Sequence, residues 1–413
     1  MSEMKEKTPR ASDALPEADE AQIHWQRNLY VCLVGSFTTI VAMTLLLPFL
    51  PLYVEQLGVA DHAAIVQWSG VAYGATFFAA ALVAPVWGRL ADRYGRKLML
   101  IRASLGMAVA MSLMGMADNV WQLTALRLFV GLAGGYASGS TILVATQTPK
   151  ARSGWALGML SSGIMAGNLV GPLIGGVLPP LIGIRGTFQL AGGVIFLTFL
   201  ATCFLIREAR PTRAERKSRA KIGWSSIPDV RPVVAMLVTG ALLMLANMSI
   251  EPIITVYVAQ LVADPAQITL VAGIVMSAAA LGSILSAARL GRLADRIGHW
   301  NVIVGALTVS ALLLIPQAFV TAGWQLVGLR FLMGIALGGL LPCITAVIRH
   351  SVPDGIAGTM LGYATSAQYT GQVVGPILGG FFGGRFGMPS VFLGTCLLMA
   401  GGALYNWSVR TRR

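Results

Sequence analysis

The sequence predicts an all-α polytopic membrane protein, with twelve transmembrane helices in two pseudo-symmetric six-helix halves. Three observations predict it. Hydrophobic residues make up 55% of the 413-residue chain, charged residues only 11%, and the mean hydropathy is +0.72, whereas a soluble domain carries about 25% charged residues. The apolar residues fall in runs of about 20, the length that crosses a bilayer. A charged island between two such runs, Gly88-Arg89-Leu90-Ala91-Asp92-Arg93-Tyr94-Gly95-Arg96-Lys97, returns 203 residues later as Gly291-Arg292-Leu293-Ala294-Asp295-Arg296-Ile297-Gly298.

In chain order, the polar stretch Met1 to Arg27 reads as a mobile cytoplasmic tail without a cleavable signal, so residues 1–28 stand apart. Span 1 is about Leu29 to Tyr53, span 2 Ile65 to Trp87, and span 3, after the charged hairpin, Leu98 to Ala117 with Arg102 inside it. Asp118-Asn119 turns the chain into span 4, Trp121 to Ala145, which carries Arg127. Span 5 is Trp155 to Leu178, where Pro179-Pro180 stops the helix. Span 6, Gly186 to Ile206, completes the first half, residues 29–206. A basic linker, residues 207–231, separates it from the second half, residues 232–409, and its bases are expected against anionic lipid headgroups. Spans 7 to 12 are Pro232–Ala259, Ile268–Arg289, Val302–Val320, Trp324–Ile348, Gly358–Phe382 and Pro389–Val409, followed by a short tail, 410–413. The same offset, within one residue, relates Pro48 to Pro252, Arg127 to Arg330 and Gly171-Pro172 to Gly375-Pro376, which marks an internal duplication.

Charge sets the topology. With both termini and every even-to-odd connection on one side, 25 Lys and Arg fall there and only Arg185 and Arg385 opposite. Both ends are therefore expected in the cytoplasm. The net charge of +13 reflects this sorting and not a nucleic-acid partner. Cys32, Cys203, Cys343 and Cys396 lie in apolar runs without metal-type spacing and read as small buried hydrophobes. His24, His62, His299 and His350 are scattered near span ends, and no Gly-x-x-x-x-Gly-Lys-Ser/Thr run is present. Metal, cofactor and ATP-driven chemistry are disfavoured, and no enzymatic activity is expected.

Three charges lie well inside spans: Arg127, Arg330 and Glu251. Each carries an insertion penalty of about 2.5–3.5 kcal/mol, so each is expected to face a cavity or a partner. Glu251 is the carboxylate of the set, and a carboxylate in such a cavity can load and release protons or attract a cationic compound. A structural ion pair with an arginine is the other reading. Gly167, Gly171 and Gly175 are spaced by four and form one small stripe on span 5, where Pro172 removes a donor and bends the helix. Gly371, Gly375 and Gly379 copy it on span 11.

Gly88 to Lys97 resembles the loop between helices 2 and 3 of the major facilitator superfamily. Leu123 to Gly131 resembles its helix 4 motif, and Gly167 to Gly176 its helix 5 motif of proton-coupled antiporters. Leu47 to Gly58 and Ser153 to Gly158 resemble a multidrug-resistance subgroup of its twelve-span drug:proton antiporters. The resemblance covers the chain from about Asn28 onward. It implies a secondary transporter that exports small amphipathic substrates against protons by alternating access, in the inner membrane of a bacterium and as a monomer. Export of one specific metabolite, such as a sugar or siderophore, and a membrane sensor without transport are the alternatives.

The resemblance also implies roles. Gly88, Asp92, Arg93, Gly95, Arg96 and Asp295 form a conformational switch. Asp92 meets the start of span 11 near Gly355 to Thr359 in the outward-facing state, and Asp295 the start of span 5 near Ser153. A carboxylate near a helix N-terminus is favourable by about 0.3–1 kcal/mol. Glu251 and Arg127 are the proton-coupling candidates. Span 1 has no acid, unlike many drug antiporters, and Gln368 in span 11 is neutral. By analogy to the fold, spans 1, 4, 7 and 10 line a cavity with help from 2, 5, 8 and 11. Its candidate lining is Phe37, Met43, Phe49, Tyr53, Tyr136, Met244, Asn247, Tyr257, Tyr363, Gln368 and Tyr369, since aromatic and Met side chains make an adaptable surface.

Overall fold

A computed structural model of the chain describes residues 17–149, 152–208 and 229–411; the side chains of residues 17–23, of Asp92 and of residues 354–358 lie outside the description. Every described element is helical. Nine stretches are long and apolar enough to cross a membrane. One of them, Ser153–Leu205, folds back at Gly183 and supplies both spans 5 and 6. Span 1 is missing from the nine because its long helix, Glu17–Thr44, is polar and charged in its first third, and span 11 because it is rich in Gly, Ser, Thr and Gln, so twelve spans result.

Spans 1, 4, 7 and 10 are each broken. Span 1 comprises Glu17–Thr44 and Leu50–Gln56, and span 7 comprises Arg231–Ile250, the 3-10 turn Glu251–Ile253 and Ile254–Leu261. Pro48 and Pro252 lie at these equivalent breaks, and the hydroxyl of Thr255 donates to the Leu47 carbonyl at 3.3 Å, so the two breaks touch across the halves. Span 4 breaks between Val120–Ala133 and Tyr136–Gln147, span 10 between Gly323–Leu337 and Leu340–Ser351. The remaining spans are continuous: His62–Tyr94, Arg96–Met114, Ile268–Ile297, His299–Gln317, Asp354–Phe386 and Met388–Thr411 for spans 2, 3, 8, 9, 11 and 12.

Two expectations are corrected. The helix of span 1 begins at Glu17, inside the stretch read as a mobile tail. Trp25 is the cause: it is buried, with its ring edge-on to Trp155 at 6.4 Å and the Arg152 guanidinium 5.8 Å from its centre. The helix of span 5 also runs through Pro179-Pro180. Proline keeps a helical φ and removes donors, but a reversal needs positive φ, which Gly183 supplies at 76°. Most of the basic linker, including its bases from Arg210 to Lys221, lies outside the described residues.

The duplication reaches single contacts. Tyr53 donates to the Met114 carbonyl, and Tyr257 to the Gln317 carbonyl. Tyr53 packs on Phe188 with ring centres 5.3 Å apart, and Tyr257 on Phe392 at 5.2 Å. Each partner is the other's copy at an offset of 203 or 204. The span 5 stripe sits on span 1: a Cβ at Gly167, Gly171 or Gly175 would run into Ile40, Thr44 or the Leu45 carbonyl. In the copy, Gly371, Gly375 and Gly379 meet the carbonyls of Ala241, Leu245 and Ser249 on span 7.

Candidate transport site between the two halves

The halves meet through spans 2 and 11 and through spans 5 and 8. We call the end carrying the Gly88 and Gly291 loops the basic end. At the opposite end the contact is backbone against backbone. A Cβ at Gly70 would strike the Pro376 carbonyl, and one at Gly273, the copy of Gly70, would strike the carbonyl of Pro172, the copy of Pro376. Gly380 and Gly384 lie against Val66 and Ala63, and Gly176 against Thr269. Thr269 donates to the Gly176 carbonyl at 3.0 Å and Ser277 to the Leu169 carbonyl at 2.7 Å. At the basic end the same helices show no such contact among the described residues. Gly88 of span 2, Gly154 and Gly158 of span 5, Gly291 of span 8 and Gly362 of span 11 face open space. Among the described residues the halves are held in backbone contact opposite the basic end, and no such glycine contact joins them at the basic end.

Between these ends lies a charged cluster. Arg127 is 0% exposed. Its Nε donates to the Ala72 carbonyl at 3.3 Å, its guanidinium carbon is 5.2 Å from the centre of the Tyr73 ring, and Nη1 and Nη2 find no hydrogen-bond partner in the protein. Thr76 donates to the Arg127 carbonyl at 2.9 Å, an approach made possible by Gly131, where a Cβ would strike the Thr76 carbonyl. Arg330, at 4% exposure, is 5.9 Å from the centre of the Phe392 ring, with Nε and Nη2 likewise unpartnered. Glu251 begins the break of span 7, and the turn it opens packs on spans 2 and 11. Arg330 and Tyr73 both act on it electrostatically. Two incompletely satisfied guanidiniums and a half-buried carboxylate are expensive to keep for packing alone. A carboxylate at a helix break between two moving bodies can exchange its proton or a cation when the bodies part.

The expected cavity lining divides. Phe37, Met43, Met244, Asn247, Gln368 and Tyr369 are half-buried, and Tyr363 is exposed. Gln368 lies against Gly240 of span 7. Tyr369 precedes Val373, Pro376 and Gly380 on the face of span 11 that meets span 2 at the closed end, so it points into the gap between halves. Phe49, Tyr53, Tyr136 and Tyr257 do not line a cavity in this state; all four are buried. Phe49 packs edge-on to Phe188 at 5.4 Å, and Tyr136 fills the notch at Gly35 and shares a 2.8 Å hydrogen bond with Thr202. An aromatic ring has the same composition on either side of a helix, and packing decided these four.

Around the first loop, Gly95 has φ 98° and Arg93 lies 5.2 Å from the Tyr94 ring. The amides of Arg96 and Lys97 both donate to the Glu208 carboxylate at 2.7 Å, and a Cβ on Gly95 would sit 2.8 Å from that carboxylate. Sequence reasoning missed Glu208, an acid at the edge of a basic linker with no spacing to tie it to span 3. It also missed Tyr73. Asp295 sits 3.8 Å from His299 in its own loop, and the expected partner region of Asp92 lies outside the described side chains.

The family model described as Major Facilitator Superfamily matches residues 32–315 and 236–413. The chain is 43% identical over 396 residues to the multidrug resistance protein MdtG of Salmonella typhimurium, covering 95% of this chain and 98% of that protein. It is 42% identical over 395 residues to MdtG of Salmonella arizonae, with the same coverage. Among solved structures, a bacterial homologue of the human lysosomal transporter Spinster, inward-facing and occupied, aligns with a TM-score of 0.80 at 13% identity over 94% of this chain and 97% of that one. The nucleoside transporter NupG aligns at 0.70 and 13%, over 94% and 98%.

Proposed function

This chain belongs to the major facilitator superfamily, and from that premise we propose that it is a proton-driven exporter of small amphipathic compounds in a bacterial inner membrane. It is a multi-pass secondary transporter that works by alternating access, and its similarity to multidrug resistance proteins along nearly its whole length makes drugs its substrate class. Glu251 carries the coupling. The observation that supports this is its place: a carboxylate at the break of span 7, where spans 2 and 11 pack on the turn, acted on by Arg330, whose Nε and Nη2 find no partner in the protein. Arg127 and Arg330 keep the site electropositive, so a carboxylate that loses its proton stays solvated by charge.

The basic end faces the cytoplasm, with both termini, because Lys and Arg collect there. The structure's state is then open to the cytoplasm. Asp92 and Asp295 favour the opposite state by meeting the starts of spans 11 and 5 when the basic end closes. Tyr369, Gln368 and Asn247 offer the contact surface to substrate, and membrane lipid meets the linker bases. One chain completes the site from its own two halves, so a monomer suffices.

The test is efflux of one cationic and one neutral compound from proteoliposomes under an imposed pH gradient, with Glu251→Gln beside the unmodified protein. Loss of gradient-driven movement for both, with exchange down the compound's own gradient retained, is the expected result. Loss for the cation alone makes Glu251 a substrate counter-ion. Unchanged movement of both makes it structural. Thiol reporters at Arg413 and Asp118 check the orientation, expected inside and outside respectively.

A further inference from the structure

We propose that Asn168 and Gln372 select compounds that carry a neutral hydrogen-bonding group, such as a hydroxyl or an amide. The inference deepens the export reading above and rests on it for the site. The two residues are copies at an offset of 204, one in each half. Helix geometry decides where they face. Gly167, Gly171 and Gly175 turn to span 1, whereas Gly176 and the Leu169 and Pro172 carbonyls turn to span 8. Two flanks of span 5 remain. At about 100° per residue, one carries Ser161 and Asn168, the other Val170, Leu173 and Val177. Span 11 repeats the arrangement. Gly371, Gly375 and Gly379 turn to span 7, and Gly380 and the Val373 and Pro376 carbonyls to span 2. One flank carries Thr365, Gln368 and Gln372, the other Val374, Ile377 and Phe381.

Val177, Ile377 and Phe381 are 45%, 45% and 40% exposed, as side chains in hydrocarbon are. A carboxamide on their flank would face lipid at high cost, so the polar flank is the one that faces the seam between the halves. Gln372 fits that direction: its Nε2 reaches the Met244 sulfur of span 7 at 3.5 Å. Asn168, which is exposed, donates from Nδ2 to the Ile164 carbonyl of its own helix at 3.2 Å. Among the described residues the amide oxygen of neither accepts a hydrogen bond. Each carboxamide therefore keeps an acceptor and a second N–H for a guest. Water serves them until a compound displaces it, and a compound that cannot replace those bonds leaves polar groups unpaired. A hydroxyl or an amide both accepts and donates. A bulky cation without N–H or O–H does neither.

The variants are Asn168→Leu and Gln372→Met, which keep the size and remove the hydrogen bonding. The probes are chloramphenicol, a neutral compound with hydroxyls and an amide, and tetraphenylphosphonium, a cation with neither. Equilibrium binding of each radiolabelled probe to the full-length protein in detergent is measured at one pH. Each variant is expected to weaken chloramphenicol binding about threefold to tenfold and to leave tetraphenylphosphonium within about twofold. Val170→Leu, on the lipid flank of span 5, is expected to change neither. Chloramphenicol binding like the unmodified protein's overturns the inference. So does an equal loss for both probes in a variant whose melting profile is unchanged, and so does an unmodified protein that binds no chloramphenicol. Where a variant does not fold, Asn168→Ala or Gln372→Ala takes its place under the same expectations. Binding without a gradient bears on this inference alone, and Glu251→Gln in proteoliposomes bears on the coupling reading alone, so the two can fail separately.

Discussion

The two halves make the same backbone contacts with different chemistry on top. Gly131 meets the Thr76 carbonyl as Gly334 meets that of Ala279, and the paired tyrosine-to-carbonyl bonds of Tyr53 and Tyr257 match atom for atom. Yet at the break of span 1 stands Leu47 where span 7 has Glu251. Arg102 braces the broken span 4 by donating to the Gly134 carbonyl at 2.7 Å from under the Trp87 ring, where the second copy has Gly305. The first charged loop is clamped by Glu208, and the second has His299-Trp300 in place of Arg96-Lys97. Close packing is held by the duplicated frame, whereas charge is free to specialise. On the proposed reading one half moves the proton, while the other clamps its loop through Glu208.

The largest expected effect breaks the asymmetry of charge. Combining Glu251→Gln with Leu47→Glu moves the carboxylate to the duplicate position, where Arg127 replaces Arg330 but Met276 replaces Tyr73. Gradient-driven efflux is expected to stay near background, and recovery would show that either half can couple. Next comes the symmetry of the gate. Gly70→Leu and Gly273→Leu each force a side chain against a carbonyl, and each should lower efflux by more than about tenfold at equal expression, overpacking being intolerable at a backbone contact. A large difference between the two would mean that one seam carries the closure alone. Smaller is the pair Asp92→Asn and Asp295→Asn: the first should cut transport strongly, the second mildly, since its loop lacks part of the basic pattern. Equal losses in a transport assay would contradict that ranking. Smallest is the clamp. Glu208→Gln weakens two charge-assisted hydrogen bonds and should lower the melting temperature by a few degrees, for about 1–2 kcal/mol. His299→Asn, which removes a partly exposed pair of at most about 1 kcal/mol, should barely move it.

How much of this was legible follows the same division. Twelve spans, the duplication, the stripes on spans 5 and 11 and the intramembrane charges are periodic or compositional, so they are written locally in Gly167, Gly171, Gly175, Arg127 and Glu251. The contacts that join distant segments are not. Glu208 reaches Arg96 across more than a hundred residues, and Thr255 reaches the Leu47 carbonyl across the two halves, with no spacing rule to announce either. Of the four aromatics assigned to a cavity, Tyr53 and Tyr257 went to the interior with a carbonyl acceptor at hand, Tyr136 with the Thr202 hydroxyl, and Phe49 by packing edge-on to Phe188, so burial outweighed facing a water-filled gap.

The gate at Gly70, Gly176, Gly273 and Gly380 is made of main chain on main chain. A lock built from long side chains must freeze their rotamers on closing, up to about 1.5–2 kcal/mol for each flexible one. Glycine has none to freeze. Closure here is therefore nearly free of side-chain conformational entropy, and its temperature dependence should be shallow, so that the pace of each cycle is left to the cargo rather than to the door.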